Sequence, residues 1–239
     1  MRKSALVLKR KGAMNKLRSL VPTGAAIVLA VFLPVKSAFA DTDAYKQLSG
    51  EWWQWVLSIP ASVNPLLDTT GEDCMVGQHG SNWFLAGTFF GGPVTRACDI
   101  PQGATLFFPV INSVGFDTPG QCGQGDPLPA SVYRQAAAAF VDGAANLSVI
   151  LDGHPAGAMH RTVSQVFEVA LPADNLFAGF CAPPLSAGIY SPAVDDGFYV
   201  RLNPLAVGPH TLHIHAENPD AGFALDITYN LNVVPVVTR

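Results

Sequence analysis

Residues 212 to 233 hold the chain to one kind of structure. Leu212, Ile214 and Ala216 alternate with His213 and His215, Glu217-Asn218-Pro219-Asp220-Ala221-Gly222 turns the chain, and Phe223, Leu225, Ile227, Tyr229, Leu231 and Val233 then alternate with polar partners. Side chains on a strand point to opposite faces with a period of two, so the pattern predicts a hairpin with one dry face. Phe84 to Phe90, Val94 to Ile100, Leu106 to Ile111, Leu147 to Leu151, Val163 to Leu171 and Phe198 to Leu202 supply further short runs rich in β-branched and aromatic residues. Gly, Pro, Asn and Asp separate them. A βαβ fold would need helices between successive strands. The expected fold is therefore all-β: a disulfide-stapled antiparallel β-sandwich with one N-terminal helix and one short inserted helix. Asp195-Asp196-Gly197 reads as a turn, because Asp and Gly tolerate the φ values that turns need.

Both helices show in the spacing of apolar residues. Tyr45, Leu48, Trp52, Trp55, Val56 and Ile59 recur every three to four positions, on one face of a helix that Pro60 closes. Ser131 to Asp142, with Pro129 ahead and Gly143 behind, forms the second. The first helix is expected to pack on an open end or a sheet edge.

Residues 14 to 40 read as a removable export signal. Lys16 and Arg18 are the basic start, Val21 to Val35 the apolar run, and Ala38-Phe39-Ala40 the small-x-small site, with translation beginning at Met1 or Met14. The predicted organisation is a signal peptide over 1–40 and a single β-sandwich domain over 41–239, secreted or periplasmic. Past the signal no apolar run nears the roughly 20 residues of a spanning helix. The first 40 residues hold eight of the fourteen Lys and Arg and none of the eighteen Asp and Glu, so the remainder carries six basic against eighteen acidic residues, a charge of −12. That sign repels phosphate backbones and anionic lipid, which excludes nucleic acid as an expected partner. The cysteines at 74, 98, 122 and 181 are even in number in an exported chain, which reads as two disulfides. Three pairings are open. Local loop closure favours Cys74–Cys98 with Cys122–Cys181, and no two cysteines have the close spacing of zinc ligands.

Several motifs carry a resemblance: Trp52-Trp53-x-Trp55, Asn64-Pro65, Asp68-x-x-Gly71, Cys74, Gln78, Trp83-Phe84-Leu85-Ala86-Gly87, Cys98, Pro101, Phe107-Phe108-Pro109, Asn112 and Gly208-Pro209-His210-Thr211. Together they resemble an uncharacterised group of exported bacterial proteins that share a Trp-rich start, a Cys…Gln…Trp-Phe-Leu-Ala-Gly…Cys block and a closing Gly-x-His-Thr strand. The resemblance implies location and fold and brings no activity with it.

Among candidate sites, His213, His215 and Glu217 would form a row on one strand face, and two imidazoles with a carboxylate make a common first shell for a divalent transition metal. The competing reading is a solvent-facing polar strand. His210 has the opposite parity and should turn inward to a backbone or carboxylate partner. Trp52 and Trp55 lie on the core stripe, whereas Trp53 lies off it and is the candidate ligand-binding aromatic. The loop from Asp68 to His79 has oxygen ligands for Ca²⁺ but not the spacing of an EF-hand, so a solvated turn is expected. Asn146-Leu147-Ser148 matches a glycan acceptor. No Gly-x-Ser-x-Gly or phosphate-cradling loop is present. The sequence therefore favours non-catalytic ligand or surface binding, with a small molecule, a glycan or an envelope protein as partner. The alternatives are a metal-assisted hydrolase or lyase built on the His-x-His strand, and a structural or interaction module of the cell envelope.

Overall fold

The computed structural model describes residues 38–236; the predicted signal peptide lies outside them, apart from residues 38–40. In chain order the elements are α1 (Ala38–Leu57), β1 (Asn82–Phe84), β2 (Gly92–Pro101), β3 (Thr105–Phe116), α2 (Ala130–Asp142), β4 (Ala145–Leu151), β5 (His154–Pro155), β6 (His160–Val163), β7 (Phe167–Leu171), β8 (Gly188–Leu202), β9 (Gly208–Asn218) and β10 (Phe223–Val234). One sheet runs β1-β3-β8-β6, with β7 also paired to β8, and the other runs β2-β10-β9-β4-β5. Pairing is antiparallel except for β1 with β3 and β2 with β10, which are parallel.

The β9–β10 hairpin forms as its alternation dictates. Ile214 faces Ile227 and Ala216 faces Leu225, with the Asn218 side chain accepting from the Ala221 N–H and Gly222 at φ +61 to turn the chain. Its dry face meets Leu106, Phe108, Val200 and Leu202 of the other sheet to make the sandwich core. A second core lies on the far side of β3 and β8. There α1 lays Trp52, Trp53, Trp55 and Val56 against Phe107, Val169, Ala193 and Tyr199. So α1 covers a sheet face, not the edge or end expected from the sequence, because the β3–β8 sheet is apolar on both sides. The unbroken apolar run Leu106 to Ile111 follows from that double burial. Each fully buried Phe or Leu there stabilises the fold by roughly 2–3 kcal/mol.

Three further sequence readings need correction. Phe84 to Phe90 is not one strand: pairing to β3 ends at Phe84, followed by one further main-chain bond, Leu85 N–H to Phe107 O. Val163 to Leu171 divides into β6 and β7, with Ser164 at the break. Its hydroxyl accepts the Asp195 N–H, and its own N–H bonds to Asp195 O. Asp195-Asp196-Gly197 is no turn but the middle of the 15-residue strand β8. Gly197 is required there by close approach, since a Cβ would come within 2.5 Å of the Asn112 Cβ on β3.

Both disulfides pair as favoured, Cys74 to Cys98 and Cys122 to Cys181, and no cysteine is free among the described residues. The first fixes the 68–78 loop along the outer edge of β2, where Ala97 N–H donates to Thr70 O and Gly71, at φ +98, has no room for a Cβ beside the Ala97 main chain. Covering a sheet edge in this way prevents edge-to-edge association. No helix among the described residues is long and apolar enough to cross a membrane.

Candidate functional site

The chain leaves β3 at Leu85 because other groups hold it elsewhere. Arg96, on the inward face of β2 and fully buried, donates from Nη1 to Ala86 O at 3.0 Å, Gly87 O at 2.9 Å and the Tyr229 hydroxyl at 2.7 Å, and from Nε to Asp68 O at 2.8 Å. The Tyr229 hydroxyl also donates to Ala86 O. These bonds draw residues 86 and 87 toward the second sheet, while β3 continues to Phe116. Between them opens a cavity of about 280 Å³.

Its walls are largely apolar. Trp52 and Trp53 of α1, residues 109–114 of β3, Phe89, Phe140 of α2, Phe177 and Phe223 line it, with Thr88, Asn112 and Ser113 as the polar side chains. The Thr88 hydroxyl is shut off from solvent and makes no hydrogen bond. Around Phe89 and Phe177 the rings of Phe90, Phe116 and Phe180 pack edge to face at 5.2–5.9 Å. Phe90 is 76% exposed and Phe180 62%, an aromatic rim that the interior does not need.

Behind the wall lies a buried polar network. Trp53 Nε1 donates to Asp195 Oδ1 at 2.6 Å, the Tyr199 hydroxyl donates to the same oxygen at 2.8 Å, and Asn112 Nδ2 donates to the Tyr199 hydroxyl at 2.9 Å. Asp195 is 1% exposed and its Oδ2 has no hydrogen-bond partner. Burial pushes its carboxyl up to about 8 against the opposing pull of Trp53, Tyr199 and Ser49, so at neutral pH the group is mostly the uncharged acid. Burial likewise raises the Tyr199 phenol well above its ordinary value. Trp53 and Asn112, both in the cavity wall, are thus oriented from behind.

The residues singled out from sequence fall on two sides of the sandwich. Trp53 is only 6% exposed and lines the cavity beside Trp52; Trp55 is buried, its Nε1 donating to Val76 O. His213, His215 and Glu217 lie on the outer face of the β9–β10 sheet. His213 Nε2 bonds Asp226 Oδ1 at 2.8 Å, His215 bonds Asp226 Oδ2 and Glu217 Oε1 at 3.2 Å each, and Glu217 Oε2 accepts from Asn146 Nδ2 at 2.6 Å. Among the described residues no group of three or more His, Cys, Asp and Glu is disposed to hold a metal ion. His210 finds both a carboxylate and a backbone partner, Asp152 Oδ2 at 2.7 Å and Ala206 O at 2.9 Å. The Asp152 bond raises its pKa first, and with an acceptor on each nitrogen the ring binds best as the cation. In the 68–79 loop the Asp68 carboxylate accepts from the Thr70, Gly71 and Asp73 N–H groups, which makes a turn.

Arg96, Asp195 and Thr88 were not found from sequence. Arg96 alone left a signal: a cation at inward parity in an apolar strand, in a chain with six basic residues after position 40. No family model, curated protein or solved structure matches the chain.

Proposed function

We propose that the protein binds an uncharged, largely apolar ligand in the cavity between α1, the edge of β3 and the aromatic rim. The observation that carries this reading is the wall itself: it joins several aromatic rings to a few polar side chains, and none of its residues is titratable. A concave, apolar site with a few convergent polar atoms is the usual form of a small-ligand site, and a wall without acid, base or nucleophilic thiol favours binding over chemistry. Titration with the neutral fluorophore N-phenyl-1-naphthylamine tests it. Saturable binding of one probe per chain is expected, and Ser113→Phe, which fills the cavity from β3, should abolish binding while leaving the melting temperature near that of the wild type. Equal binding by both proteins would reject the site.

A further inference from the structure

β3 outruns its neighbour. At its start Thr105 N–H donates to Ser81 O and Phe107 O accepts from Leu85, so these main-chain groups face β1. Val110 is then an extra residue, since the register to β8 shifts between Pro109 and Ile111. Past this bulge, Asp117 N–H donates to Pro192 O, which turns residues 113, 115 and 117 toward β8. By the alternation of an antiparallel ladder, Asn112, Val114 and Phe116 direct their N–H and C=O groups to the opposite edge. Opposite Val114, the Asp195 N–H correspondingly points away from β3, to the Ser164 hydroxyl. Beyond Phe107 no strand among the described residues lies on that edge.

The cavity borders the first part of this edge, as far as Val114, and wraps both of its faces. Trp52, Trp53 and Phe177 stand on the α1 side of β3, Phe140 and Phe223 on the sandwich side. A compact apolar molecule would cover one wall and leave main-chain donors and acceptors dehydrated without partners. An extended main chain meets both demands, its amides pairing with β3 and its alternate side chains entering the two apolar walls.

We infer that the ligand of this site is an extended, uncharged peptide segment that adds to the Asn112–Phe116 edge of β3 as a further strand. The inference rests on the cavity reading above and narrows it to one class of ligand. Five residues, about 17 Å of strand, match the open edge.

Displacement of N-phenyl-1-naphthylamine by acetyl-Ala-Val-Phe-Val-Ala-amide, and by the same peptide methylated at every amide nitrogen, tests it. The parent peptide is expected to displace the probe, and the methylated one to need about tenfold or more higher concentration, because it keeps the side chains and loses the donors. Val114→Pro, which removes an N–H on the open edge and none on the β8 side, should weaken the parent peptide by a similar factor once the variant's own probe affinity is measured and taken into account. Equal displacement by the two peptides would overturn strand addition, as would binding of the probe with no displacement by either; both outcomes leave the apolar cavity standing. Failure of probe and peptide alike would overturn the two readings together.

Discussion

His213 and His215 share the Asp226 carboxylate on the open face of the β9–β10 sheet, whereas Asp195 sits under α1 with two neutral donors on one oxygen and none on the other. Water can reach the first group, so its charges are screened and its geometry is loosely held. The second is shut off from solvent, so each hydrogen bond must be made by protein or forgone. Asp196 sharpens the contrast. One residue along β8 and on the other face, it is 3% exposed yet meets Arg161 through two bonds of 3.0 and 2.9 Å. Adjacent acids on one strand thus meet opposite surroundings, Asp196 facing a cation and Asp195 the dipoles of Trp53 and Tyr199.

The largest effect expected from breaking this arrangement comes from Arg161→Ala. It leaves Asp196 buried without a counter-charge and should cost about 3 kcal/mol, the low end for a buried pair because Arg161 is itself partly exposed. Urea denaturation measures it, and a loss under about 1 kcal/mol would mean that the fold does not depend on this counter-charge. Next comes Asp195→Asn, with the opposite sign. The native group holds its proton up to about pH 8 while the unfolded one ionises near pH 4. Native protein therefore binds more protons in that interval, and wild-type stability falls as pH rises through it. Asparagine does not titrate, so the variant should match the wild type near pH 4 and exceed it by a margin that widens steadily as pH rises toward 8. A gap that does not change with pH would show that Asp195 titrates as an ordinary carboxylate.

How much of this was legible depends on whether the deciding contact is local. The hairpin, both helices and the apolar runs follow from periods of two and 3.6, which neighbouring residues carry. The Cys74–Cys98 and Cys122–Cys181 pairs followed from loop closure. By contrast, Asp195-Asp196-Gly197 has the composition of a turn, and only Arg161, Trp53 and Tyr199 arriving from elsewhere make it a strand centre. Phe84 to Phe90 has the composition of a strand, and Arg96 with Tyr229 pulls its second half away. The cavity is the product of that long-range pull, so nothing near it in sequence announces it. The His row was conspicuous for the opposite reason: its residues lie two apart on one strand.

Trp53→Phe probes the buried side more gently. It keeps an aromatic ring in the wall and removes the Nε1 donor to Asp195, for an expected loss of about 1 kcal/mol by urea denaturation. With that donor gone the carboxyl should rise further, shifting the pH-dependent interval upward. An unchanged interval would mean that Tyr199 alone positions the acid.

The smallest effect is expected on the open face. In His213→Ala, Asp226 keeps its contact with His215 and the exposed edge of the carboxylate is hydrated in compensation, so stability should change by no more than about 0.5 kcal/mol. Metal addition separates the two readings of the row. A metal-ligating nitrogen must offer a lone pair, whereas His213 Nε2 and both nitrogens of His215 already face carboxylate oxygens. Added Zn²⁺, Mn²⁺, Cu²⁺ or Ni²⁺ should leave the melting temperatures of wild type and His213→Ala equally unmoved. A rise confined to the wild type, reversed by acid near the ordinary His pKa of about 6.5, would place a cation among His213, His215 and Glu217 and make the open face a second binding site.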